Sequence, residues 1–168
     1  MRILWAPWRM EYINNADKEQ GCLFCTVASS PPELAREKLL LYKTDLGLIM
    51  LNKFPYNSGH IMVSPTFHIG NLLDLPEEYT IEMIRLAKLG IKALEATMSP
   101  QGYNMGFNIG RAAGAGIEEH IHMHIVPRWN GDTNFMPIVG ETKVIPQHLE
   151  KTYNILRKAI LEFVKEKT

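Results

Sequence analysis

The sequence predicts an α+β domain built on an antiparallel sheet, and three observations support it. Short apolar or alternating runs of strand length cluster before and after one long segment of helical period. The connection between two of those runs, "KFPYNSG" at 53–59, is short and rich in turn residues, which favours antiparallel neighbours. A second amphipathic segment closes the chain and adds a helix to the sheet.

The elements follow in order. The first stretch, "LWAPWRMEYI", carries Trp5, Trp8 and Tyr12, rings large enough to cover a core or a partner subunit, so residues 1–21 read as a packed N-terminal arm. Cys22 and Cys25 in "GCLFC" enclose too short a loop for a useful disulfide, leaving thiolate metal binding or free thiols. "LLLYKT", "LGLIMLN" and "HIMVSP" are strands. In "DLPEEYTIEMIRLAKLGIKALEATM", Ile84, Ala87, Ile91 and Leu94 share one helical face, and Asp74 with Glu77 three residues on suggests a capped start. "YNMGFNIG" and "EEHIHMHIVP" return to strand character across "RAAGAG", a loop of small residues able to bring backbone N–H groups close to a ligand. Residues 146–166 form the last helix, with Leu149, Tyr153, Leu156 and Ile160 on its apolar face. The whole chain of 168 residues reads as a single domain.

Composition narrows the function. Lys plus Arg equals Asp plus Glu at 18 each, so there is no overall pull toward nucleic acid or an anionic membrane, and an anionic ligand must be held locally. With no signal-like start and no run of about 18 apolar residues, the expectation is a soluble cytoplasmic protein.

The chemistry concentrates at His120, His122 and His124, half of the six histidines in the chain. On a strand they form one polar row while Ile121, Met123 and Ile125 bury the other face. Such a row is a polar strand face, a catalytic zinc site, or a nucleophile with flanking partners. Side chains two apart on a strand lie roughly 6–7 Å apart at their bases, so the outer pair reaches one metal only with difficulty.

His120-Ile-His122-Met-His124-Ile-Val126 resembles the signature of the histidine triad family. "LIMLNKFPYNSGHIMVSPTFH" is similar to the family's first strand pair and "NIGRAAGAG" to its phosphate loop, so the resemblance covers about residues 39–128. It implies an antiparallel sheet of about five strands joined across a homodimer, with adenine nucleotides or dinucleoside polyphosphates as ligands. It assigns His122 as the nucleophile attacking the α-phosphorus and His124 as the residue donating to a phosphate or leaving-group oxygen. Asn52 falls at the ribose position, and His60 is a supporting histidine beneath the triad. Asn108 and the loop carrying Gly114 and Gly116 would contact the phosphates, although Gly116 stands where many members carry a hydroxyl residue. Cys22, Cys25, His68 and His120 match a closed structural zinc site of some bacterial members, while His148 is expected at the surface or in packing. "VPRWNGDTNFMPIVGETKVIPQHL" and the N-terminal arm resemble the diadenosine tetraphosphate phosphorylase-like members, in which inorganic phosphate accepts the adenylyl group. Lys143, Arg128 or Arg111 would then meet that phosphate. Two other readings stand beside this one: a hydrolase releasing AMP, and a nucleotide-binding regulatory protein with little turnover.

Overall fold

The computed structural model describes residues 21–132 and 147–166. The N-terminal aromatic arm and Lys143 lie outside them. In chain order the elements are α1 (Leu23–Ser29), β1 (Leu40–Lys43), β2 (Gly47–Leu51), β3 (Ile61–Pro65), α2 (Glu77–Met98), β4 (Gly102–Phe107), β5 (Met123–Arg128) and α3 (Leu149–Lys165). The five strands form one sheet in the order β1-β2-β3-β5-β4, every neighbouring pair antiparallel. The predicted architecture is the observed one.

Each face of the sheet buries its own cluster. Leu41, Ile49, Leu51, Ile61, Val63, Met123 and Ile125 pack against Met83, Leu86, Ala87 and Leu94 of α2 and Tyr153, Leu156 and Ile160 of α3. The helix approaches so closely at Gly90 that a Cβ there would meet Ile61 Cδ1 at 2.5 Å. On the opposite face Leu40, Leu48, Met50 and Met62 pack against Phe24 and Val27 of α1 and against Ala35. Met62 lies directly opposite His124 in the ladder, so this smaller cluster and His124 share a face. β1 is bulged between Leu40 and Tyr42, and the Leu40 carbonyl accepts from the Tyr153 hydroxyl at 3.2 Å and from Arg157 Nη1 at 2.8 Å. That pair pins α3 to the first strand.

Three expectations change. The start of α2 is not capped by Asp74: Pro76 occupies the N-cap position without a side-chain cap, and Asp74 ends a short 3-10 turn where Asn71 Nδ2 donates to its carboxylate at 2.6 Å. The buried stripe of α2 runs through Met83, Leu86, Ala87, Gly90, Ala93 and Leu94, which turns Ile84 outward to 48% exposure. A glycine in the stripe, invisible to a hydrophobic count, lets the backbone face the sheet and rotates the helix away from the expected face. Finally, the histidine strand begins only at Met123. Before it, the Ile121 N–H donates to Ile69 O at 2.7 Å, so 120–122 pairs with the loop after β3 instead of extending the ladder. Ile121 still enters the core, and the alternation of burial survives without the regular strand.

Candidate active site

The geometry is set by which atoms can only donate and which can only accept. His122 Nδ1 lies 2.8 Å from the backbone carbonyl of His120. A carbonyl only accepts, so Nδ1 carries the proton and donates, and Nε2 keeps a bare lone pair. His122 is buried, and loss of solvation pushes its pKa below the ordinary histidine range, against a smaller opposite effect of the carbonyl. The result is a neutral imidazole with its nucleophilic nitrogen exposed by tautomer.

A second chain of bonds fixes His124. The Tyr56 backbone N–H donates to His60 Nδ1 at 3.1 Å, and Asn52 Nδ2 lies 3.4 Å from the same nitrogen. Because a backbone N–H can only donate, Nδ1 of a neutral His60 is the acceptor and Nε2 carries its proton. His60 Nε2 then donates across 3.0 Å to His124 Nδ1. His124 is left with its proton on Nε2, a donor held beside the His122 ring, whose centroid is 4.9 Å away. The Tyr56 ring stacks on His124 at 5.8 Å and 28°.

His120 points elsewhere. Its Nε2 donates to the Pro65 carbonyl at 3.0 Å, and Nδ1 sits 3.1 Å from Cys22 Sγ and 3.6 Å from Cys25 Sγ. His68 Nδ1 lies 3.2 Å from Cys25 Sγ, and the four ligand atoms fall within 4.8 Å of one another. A tetrahedral ion with bonds of about 2.0–2.3 Å requires ligand edges of about 3.3–3.8 Å. The observed pairs bracket that edge, and the Pro65 bond leaves His120 Nδ1 deprotonated, as a ligand must be. These residues therefore fit a closed four-coordinate metal site. Desolvation first, then the neighbouring Cys22, pushes the Cys25 thiol up to about 11. A bound cation supplies the charge that would reverse this.

The expected phosphate contacts are distributed unevenly. Asn108 is half-buried just beyond β4, and its side chain makes no hydrogen bond among the described residues. Gly114, at φ 84°, closes a 3-10 turn, and its N–H already donates to Arg111 O at 2.9 Å. The Gly116 N–H has no partner among the described residues. Asn52 accepts from the Phe54 N–H at 2.8 Å through Oδ1 while its Nδ2 faces His60. Of the expected phosphate cations, Arg111 pairs with Glu118 at 2.6 Å. Arg128 holds Asp132 through two bonds of 2.7 and 2.8 Å and reaches Asn104 at 2.7 Å. It also sits four strand residues beyond His124, about 13 Å along the chain, so it is removed from the site. His148 is exposed and caps α3, accepting from the Glu150 N–H at 3.4 Å.

Sequence reasoning passed over two neighbours of the triad. Phe24 is fully buried with its ring centroid 4.7 Å from that of His122 and 5.1 Å from that of His120. Its signal was its place between two candidate ligands in "CLFC". Asn57, read as a turn residue, is buried and donates to the Pro127 carbonyl at 3.1 Å and to Asp132 at 2.8 Å. It fastens the loop carrying Tyr56 and His60 to the end of β5, and no local pattern announces so distant a bond.

Residues 34–131 match the HIT domain family model. The AP-4-A phosphorylase of Mycobacterium tuberculosis is 37% identical over 161 residues, 93% of this chain and 83% of that protein. The adenosine 5'-monophosphoramidase hnt1 of Schizosaccharomyces pombe is 30% identical over 110 residues, 66% of this chain and 78% of that protein. A zinc-bound histidine triad family protein from Mycobacterium smegmatis superposes with a TM-score of 0.68 at 27% identity, covering 87% of this chain and 97% of that one. The chain belongs to the HIT domain family.

Proposed function

We propose that the protein is a nucleotide-processing enzyme that forms an adenylyl-histidine at His122, and that its reaction is phosphorolysis of diadenosine tetraphosphate to ATP and ADP. The observation that carries the chemistry is the pair of opposed tautomers: a bare Nε2 on His122 next to a protonated Nε2 on His124. His122 Nε2 attacks the α-phosphorus, the bond to the bridging oxygen breaks, and ATP leaves with the proton that His124 donates. Inorganic phosphate then attacks the adenylyl-histidine, ADP leaves, and His122 returns to its neutral state. Asn52 holds the ribose, and Asn108 and the Gly116 N–H provide neutral donors to the phosphates, in keeping with a chain of zero formal net charge.

The likeness to the mycobacterial AP-4-A phosphorylase over 93% of the chain supports phosphate as the acceptor. A hydrolase releasing AMP is the second reading. It is favoured by the pairing of Arg111 with Glu118 and of Arg128 with Asp132, which leaves Lys143 as the remaining cation proposed to meet phosphate. The product ratio decides: ADP replacing AMP as phosphate is added supports phosphorolysis, and AMP dominant at saturating phosphate supports hydrolysis.

The Cys22, Cys25, His68 and His120 cluster is proposed to hold structural zinc, as its ligand set and the zinc-bound mycobacterial neighbour support. Zinc there would tie α1, the loop after β3 and the triad together. A homodimer is proposed through β4, an edge strand paired among the described residues only with β5, whose Met105 is 46% exposed.

A further inference from the structure

α1 is only seven residues long, yet it touches both the metal cluster and the nucleophile. Cys22 and Cys25, three apart, face one side of its first turn, and Phe24 projects about 100° away from Cys25. That direction takes the phenyl ring onto His122, centroid to centroid 4.7 Å at 34°, and onto His120 at 5.1 Å and 45°. Phe24 has no solvent exposure, so it is not a surface offered to a ligand.

Among the described residues the His122 ring has one hydrogen bond, from Nδ1 to the His120 carbonyl at 2.8 Å. A single bond leaves the ring able to pivot about that axis, which would swing Nε2 off its line of attack. Phe24 lies against one side of the ring, and His124 meets it edge-on at 70° with centroids 4.9 Å apart. The same cluster residue, His120, supplies the carbonyl, carries a ligand nitrogen and contacts Phe24.

We propose that Phe24 is a positioning residue that stops the His122 ring from pivoting, and that the Cys22, Cys25, His68 and His120 cluster acts on the nucleophile by fixing Phe24. The metal site is then part of the device that aims His122, beyond its role in stability. This rests on the reading of His122 as the nucleophile, but its structural half is measurable without turnover.

The test compares wild type, Phe24→Ala and Phe24→Leu as zinc-loaded proteins. All three should keep the same zinc content, since no ligand is altered. Phe24→Ala should lower kcat roughly 100-fold, the scale of a 1 Å misplacement, with KM little changed, and Phe24→Leu should fall between. Nuclear Overhauser contacts from the His122 ring protons to the neighbouring His124 ring should define one His122 orientation in wild type and several in Phe24→Ala. Withdrawing zinc should lower the wild-type kcat toward that of Phe24→Ala and add little in the variant itself, the non-additivity expected of two groups acting through one contact. A folded, zinc-loaded Phe24→Ala protein with wild-type kcat and a single His122 ring orientation overturns the proposal. Equal losses on zinc withdrawal with and without the phenyl ring overturn the link to the cluster. If Phe24→Ala fails to fold, Phe24→Leu decides by the same measures. If wild type turns over no adenylylated substrate, the nucleotidyl reading fails, and the His122 spectra decide the role of Phe24 alone.

Discussion

Cys22→Ser should lower the melting temperature by about 5–11 °C in zinc-containing buffer, and the size follows from what the cluster ties together. The four ligands come from three separate segments, at 22–25, 68 and 120, all within 4.8 Å. An ion that binds the folded chain and not the unfolded one stabilises it by about 2.7 kcal/mol when free metal is 100 times its Kd. For a chain of this size each kcal/mol moves the midpoint by about 2–4 °C. A serine hydroxyl is a poor zinc ligand at neutral pH, so most of that stabilisation is lost. The sign with pH is fixed by the thiols. Cys25, pushed up to about 11, is protonated at neutral pH without a cation, so zinc binding releases protons and tightens as pH rises. Differential scanning calorimetry of both proteins, with and without chelator, measures the shift. Wild-type protein with no metal by elemental analysis and a midpoint unmoved by chelator would rule out a stabilising metal at this cluster.

Four further outcomes are expected. His60→Phe removes the donor to His124 Nδ1 and strands the Tyr56 N–H, so it should cost about 1–3 kcal/mol of stability and slow turnover while leaving His122 able to accept an adenylyl group. Stopped-flow detection of the adduct separates these effects. Because desolvation holds His122 below the ordinary value of about 6.5, turnover should persist as pH falls through that value and decline only below it. The depressed pKa values of His120 and His122 mean that the unfolded chain binds more protons below about pH 6.5. Urea midpoints of metal-free protein should therefore drop with falling pH in that window and level off toward neutral pH. Gly70→Ala would place a Cβ 2.3 Å from the Glu118 carbonyl oxygen, and backbone cannot yield as a side chain can. Separating the His68 loop from the segment leading to His120 should weaken zinc binding, read by competition with a chromophoric chelator.

Much of the site was legible because its residues are close in sequence or of rare type. Three histidines alternating with Ile121, Met123 and Ile125 exposed the histidine strand, and two cysteines with His68 and His120 exposed the cluster. The rest depends on contacts that no local pattern encodes. Strand period accounted for the burial of Ile121 but not for the break before Met123, which comes from the Ile69 carbonyl fifty-two residues away. The helical count chose Ile84 because it weighed side chains, whereas the packing at Gly90 is made by backbone against Ile61. Arg128 looked like a free cation until Asp132, on the same turn, took its Nε and Nη2. Phe24 drew no reading from the sequence, because nothing local shows that its neighbours are two histidines.

The covalent step proposed at His122 is measured by rapid quenching after mixing with diadenosine tetraphosphate in phosphate-free buffer, followed by peptide mapping. The expected result is an AMP adduct on His122 within residues 118–128, absent in His122→Ala and discharged as ADP when phosphate is added. An adduct on any other residue, or turnover with no adduct under conditions where product accumulates, would contradict it.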